Sequence, residues 1–230
     1  MKTKILNLII LDESGSMDCI RKQTISGCNE VLNTIRSAQT EFNETQEHFI
    51  SIYVFQSGGQ PSRYLFENQS VKDVTNINAK DYVPCGCTPL YDAIGISVNN
   101  LRKAATQNEL TIGSVTIITD GMENSSKEYT GKQVADLIEK LKEKGWNFNF
   151  IGANIDVEEI SRHINIDNAM SFDQTCDGTS AMFAKESSCK RSWLNRISQC
   201  LMARNTTEDA ETLTESLKEA SKGYYEENLN

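Results

Sequence analysis

The sequence predicts an α/β domain: a mostly parallel sheet with helices on both faces. Three observations predict it. Apolar runs of strand length recur along the chain, segments with apolar residues at helical spacing separate them, and the two kinds alternate as strand–helix–strand units.

Residues 5–11 are a continuous apolar run, the mark of a buried strand. Residues 20–38 then place Ile20, Ile25, Cys28, Val31, Leu32 and Ile35 on one helical stripe. Residues 48–55 are β-rich, and Gly58, Gly59 and Pro61 break the chain after them. Residues 63–66 are expected to return as an antiparallel edge strand. Residues 67–80 are polar and read as loop with little regular structure. Residues 89–101 are helical, carrying Leu90, Ala93, Ile94 and Val98, with Pro89 suited to the first turn. Residues 114–118 form a buried strand, and 130–144 an amphipathic helix with Gly145 placed to end it. Strand 146–151, helix 157–164, strand 169–172 and helix 179–201 complete the pattern. The last helix is expected to be irregular around Ser187 and Ser188. From about residue 203 the chain turns acidic, with a narrow stripe of Ala210, Leu213, Leu217 and Ala220. The expected division is a domain over 1–202 and a weakly docked or disordered helix and tail over 203–230, frayed from Gly223.

The size, 230 residues, suits one sizeable domain, and 38% hydrophobic content with three prolines suits a packed one. A formal charge of -9 argues against nucleic acid and anionic membrane as partners. The apolar run at the N-terminus is short, interrupted by Asn7, and leads into Asp12-Glu13-Ser14, so it reads as strand and not as an export signal. Seven cysteines, an odd number, fit reduced thiols in the cytoplasm. Cys85 and Cys87 stand as C-x-C, a weak metal or redox signal that also fits small residues in a tight loop.

In an open parallel sheet, ligands bind beyond the carboxyl ends of the strands. Polar residues gather at three such places: Asp12-Glu13-Ser14-Gly15-Ser16, the loop ending in Thr88-Pro89, and Thr119-Asp120-Gly121. Asp12, Ser14, Ser16, Thr88 and Asp120 are hard oxygen donors suited to Mg²⁺ foremost, or to Mn²⁺ or Ca²⁺. Gly15 is expected to relax the backbone between the serines. Two carboxylates with neutral hydroxyls leave a divalent ion electron-poor, so an open position would favour a carboxylate from outside. No phosphate loop, dinucleotide fingerprint or nucleophile elbow is present, and His48 and His163 lie outside these loops. No catalytic residue is assigned. Each ligand taken singly also fits a cap or turn role.

These segments, with Gly86-Cys87-Thr88-Pro89-Leu90-Tyr91-Asp92-Ala93-Ile94 between them, resemble the von Willebrand factor A domain over residues 3–200. The resemblance implies a doubly wound six-stranded sheet with one antiparallel edge. It also implies a metal-ion-dependent adhesion site: Ser14, Ser16 and Thr88 touch the metal, and Asp12 and Asp120 act partly through water. Cys87 departs from the glycine common at its position, so the loop is expected to differ slightly. The chain looks like intracellular bacterial members associated with tellurite resistance and AAA-type ATPases. The expected function is metal-dependent capture of an Asp or Glu side chain on a partner protein, such as an AAA-type ATPase or stress-response complex. A metal-assisted phosphoesterase and a scaffold with a vestigial site remain as alternatives. Around the site, Asn124 is expected to brace the Asp120 loop and Asp92 to approach the Thr88 loop. Gln56, Ser57, Asn154 and Asp156 are expected to line the rim.

Overall fold

A computed structural model describes residues 2–105, 110–203 and 210–226. The first strand, β1 (Thr3–Asp12), leads through a 3-10 turn (Gly15–Ile20) into α1 (Arg21–Glu41). β2 (Gln46–Phe55) and β3 (Arg63–Ser70) come next, followed after a long loop by α2 (Leu90–Ala104). β4 (Thr111–Thr119), α3 (Gly131–Lys142), β5 (Asn147–Gly152), α4 (Val157–His163) and β6 (Asn168–Ser171) continue the alternation. α5 (Cys176–Ala203) and α6 (Ala210–Ser221) follow.

The strands form one six-stranded sheet in the order β3-β2-β1-β4-β5-β6. All neighbours are parallel except β2 and β3. The expected class and the single antiparallel edge are therefore present. β1 sits at the centre, its Asp12 beside Phe55 in the register with β2.

The side chains of β1 explain why its sequence is mostly apolar on both faces. Ile5 and Ile9 enter one core, and Leu6, Leu8 and Ile10 enter the other. A parallel strand covered on both faces alternates its side chains between two cores. The first core holds α1, α5 and α6, with Trp193 fully buried; the second holds α2, α3 and α4. Among the described residues no helix is long and apolar enough to cross a membrane.

Local signals set the helix ends. Thr130 caps α3 with a capping box to Gln133, so the helix begins one residue later than expected. Gly145, at φ +81, turns the chain past its end. Pro89 stands just before α2 and not inside it.

Two expectations are corrected. β3 runs on to Ser70, taking in residues 67–70 that read as loop, because Gln69 and Ser70 pair with Ile50 and Phe49. The stretch after it is irregular but packed: Val71, Val74 and Ile77 are buried, and Arg36 and Asn29 of α1 hold the backbone of Val74 and Ile77. α5 passes Ser187 and Ser188 without a break. Its inner face there carries buried Glu186 and Lys190, one turn apart with 3.7 Å between charges. Both find polar partners on β4: Thr116 donates to Glu186 and Lys190 donates to Ser114.

α6 shares the first core. Leu213, Leu217, Tyr224 and Tyr225 are buried there, and both tyrosine hydroxyls donate to Glu186. Of the tail expected from residue 203 onward, residues 204–209 and 227–230 lie outside the described residues.

Candidate functional site

The carboxyl ends of β1 and β4 lie side by side, and their loops meet the start of α2. Asp12 closes β1 with its carboxylate buried. Its Oδ1 accepts from the Ser14 N–H at 2.7 Å, and its Oδ2 accepts from the Thr119 hydroxyl at 2.6 Å. The Ser14 and Ser16 hydroxyls lie 3.1 Å apart, and Ser16 Oγ donates to Asp120 Oδ1 at 2.7 Å. Thr88 Oγ1 faces Gly121, where a Cβ would stand 3.1 Å from it. Asp12, Ser14, Ser16 and Asp120 are thus linked by hydrogen bonds, and Thr88 stands beside Gly121, the residue after Asp120.

Burial dominates the electrostatics. It pushes the Asp12 carboxyl up from 3.8 to about 6, against hydrogen bonds from Thr119 and Ser14 that pull it down. Burial also raises Asp120, against hydrogen bonds from Ser16 and Gln174. The hydrogen-bond partners of both acids are hydroxyls, a backbone N–H and an amide, with no cationic side chain among them. Two neighbouring carboxylates held this way favour a bound cation. Among the described residues no three His, Cys, Asp or Glu side chains gather as a metal cluster. Two carboxylates and three hydroxyls make a hard donor set, of the kind that suits Mg²⁺, Mn²⁺ or Ca²⁺.

Glu13, between the two ligand positions, faces inward. Its carboxylate accepts from Arg63 twice (2.7 and 3.1 Å), from Gln56 Nε2 at 2.8 Å and from the Val83 N–H at 2.6 Å. That fully buried acid ties the β1 loop to β3 and to the 81–83 segment. Tyr82 adds a hydrogen bond from its hydroxyl to the Asp12 carbonyl at 2.6 Å.

Gly15 does not use a glycine's freedom. It lies outside the positive-φ region, and a Cβ there meets only ordinary contacts. Gly86 does: its φ is +73, and a Cβ would stand 1.9 Å from the Ser57 carbonyl. Its carbonyl accepts from Gly15 N–H, and Cys85 N–H donates to Glu13 O. Cys87 exchanges two backbone hydrogen bonds with Ser57, so the Thr88 loop is pinned on both sides. The Cys85 and Cys87 thiols are free and exposed.

The surrounding residues divide. Asn124 ties its own loop to Thr88: its Oδ1 accepts from Thr88 N–H, and its own N–H donates to the Thr88 carbonyl. Asp92 accepts from the N–H groups of 127, 128 and 129 and anchors that segment to α2. Gln56 is buried against Glu13, and Ser57 donates to Ser125 Oγ at 3.1 Å. Asp156 caps α4 by accepting from Glu159 N–H. Asn154, exposed and at φ +57, reaches the site only through Gln174. His48 is buried among the strands near Lys190, far along β2 from this end.

Gln174 escaped sequence reasoning. Its Nε2 donates to Asp120 Oδ2 and, at 3.0 Å, to the Ser16 carbonyl. The one signal pointing to it was position, since it follows the carboxyl end of β6 on the same rim. Thr119 was also missed as a partner of Asp12.

Neither a protein-family model nor a curated protein matches the sequence. Solved structures do match the fold. The SpaC pilus adhesin of Lactobacillus rhamnosus GG aligns with TM-score 0.60 at 12% identity, covering 84% of this chain and 31% of the adhesin. The PilB minor pilin of Streptococcus sanguinis aligns at 0.53 and 11%, covering 89% of this chain and 64% of the pilin. The SpRpn10 VWA domain aligns at 0.51 and 12%, covering 79% of this chain and 94% of that domain. This chain therefore spans about a third of the adhesin and just under two thirds of the pilin. At such identities the likeness is one of fold: a von Willebrand factor A-like α/β domain.

Proposed function

We propose that this chain is a metal-dependent protein-binding module. In this reading Ser14, Ser16 and Thr88 ligate a divalent cation, Mg²⁺ foremost, while Asp12 and Asp120 hold it partly through water. The cation supplies Lewis acidity, drawing an Asp or Glu carboxylate of a partner protein onto the site. The partner is expected among cytoplasmic assemblies such as AAA-type ATPases or stress-response complexes, and no catalytic residue is assigned.

One observation carries the reading. Oxygens of the β1 and β4 loops meet through Ser16, which bridges the Ser14 hydroxyl and the Asp120 carboxylate within 3.1 Å, and Thr88 stands beside Gly121. The chain's own residues give the site its shape. Glu13 and Arg63 hold the first loop, Gly86 and Ser57 hold the second, and Asn124 fastens the second to the third. Met122, 65% exposed beside Asp120, adds an apolar contact suited to a protein surface. The odd number of cysteines, seven, fits a reducing compartment.

The test is capture of partners from the native cell by the full chain, with Mg²⁺ or with EDTA, using wild type and Asp12→Ala. A partner retained by wild type in Mg²⁺ and lost in the other samples supports the reading. The same partner retained by Asp12→Ala in EDTA overturns it and favours a scaffold.

A further inference from the structure

We propose that Gln174 sets the cation affinity of this site, as an internal amide that competes with the cation for Asp120. The inference rests on the metal-binding reading above.

The orientation of the amide follows from its neighbours. Asp120 Oδ2 and the Ser16 carbonyl are both acceptors, so the group facing them is the NH₂. The Gln174 Oε1 points the other way and accepts from Asn154 Nδ2. The side chain is thus held at both ends, donor toward the site and acceptor away from it. An NH₂ group has no lone pair to give a metal. It offers partial positive charge to a carboxylate that has no cationic side chain among its hydrogen-bond partners. In that respect it does weakly what a cation does strongly.

Two consequences follow. A cation, or its bound water, that takes the position of the Gln174 amide at Asp120 Oδ2 displaces it, giving up one hydrogen bond to a charged group. The cation-free protein, in turn, is steadied by that same hydrogen bond. Gln174 also belongs to a different segment from the five ligand positions. It lies between β6 and α5, while Asn154 lies between β5 and α4. These two segments therefore adjust a site built by others.

The magnitude is that of one hydrogen bond to a charged acceptor, partly offset by water that takes its place. That corresponds to about tenfold in dissociation constant. Gln174→Leu keeps the bulk of the side chain and removes the amide.

The experiment titrates Mn²⁺ calorimetrically into full-length wild type and Gln174→Leu, and records thermal unfolding of both in EDTA. The expected result is about tenfold tighter Mn²⁺ binding by the variant, with a lower melting temperature in EDTA. Unchanged or weaker binding by the variant overturns the inference and leaves the metal reading standing. Absence of Mn²⁺ binding in both proteins overturns the metal reading and this inference together. Should Gln174→Leu fail to fold, Asn154→Gly serves instead. It keeps the positive φ and frees the far end of Gln174, and it is expected to tighten Mn²⁺ binding two- to threefold. Equal affinity in that variant counts against the inference.

Discussion

Asp12→Asn should make the cation-free protein more stable while removing its affinity for a divalent ion. Asp12 is fully buried, and burial pushes its carboxyl from 3.8 up to about 6. The folded state therefore holds the proton more tightly than the unfolded chain does. The stability linked to that proton is complete below pH 3.8 and is lost as pH rises through 6. Above pH 6 the buried carboxylate ionises at a cost of about two pK units, or about 3 kcal/mol. Asparagine has the same shape and removes the charge. Its Oδ1 still accepts from Ser14 N–H, and its NH₂ faces Thr119 Oγ1, whose proton turns to the Gly121 carbonyl, 3.1 Å away. The expected gain in EDTA is about 3 kcal/mol at pH 7.5. For a chain of this size that is about 5–10 °C in melting temperature. At pH 4.5, where the folded wild type is protonated and the unfolded chain is mostly ionised, the gain falls to about 1 kcal/mol. Urea unfolding at the two pH values measures both. A variant less stable than wild type at pH 7.5, or an equal gain at both pH values, refutes the reasoning.

Other predictions follow from single features. His48 is held neutral by burial and by the charge of Lys190, its pKa lowered to about 3, so its contribution is present above pH 6.5 and lost as pH falls toward 3. The loss is about 2 kcal/mol by pH 5, and His48→Met should flatten that limb of the stability–pH curve. Glu13→Gln should cost about 2–4 kcal/mol in urea unfolding, because Arg63, only a quarter exposed, loses its anion. A cost under 0.5 kcal/mol would show that the four hydrogen bonds, and not the charge, hold the loop. Gly86→Ala should cost at least about 2 kcal/mol, since the new Cβ meets the Ser57 backbone, and unchanged stability would contradict the loop geometry. Removing residues 210–230 should lower stability by more than about 4 kcal/mol, read by urea unfolding, because Glu186 loses two tyrosine donors and the core loses Leu213 and Leu217.

Much of the architecture was legible because β1, β4 and β5 bury both faces and so carry apolar residues on both. The five proposed oxygen donors could be read together because they lie near strand ends or a helix start on the carboxyl side of the sheet. Three kinds of feature were not. Strand pairing of Gln69 and Ser70 depends on a neighbour 20 residues away, and their side chains carry no β pattern. Glu13 looked like part of the acidic motif, but its partner Arg63 comes from another strand and turns it inward. Gln174 is a polar residue in a polar loop, and only the closure of the sheet brings it to Asp120. Gly15 and Gly86 show the same limit: both precede a ligand position, and only the φ values reveal which one the loop requires.

Calorimetric titration of Mn²⁺ into wild type and Ser16→Ala tests the central claim most directly. Ser16 is exposed and bridges the two ligand loops, so its loss should leave the fold intact. The account predicts one ion bound per chain by wild type, and at least about tenfold weaker binding once that hydroxyl is gone. Equal affinity in the two proteins, or no binding by wild type, would contradict it.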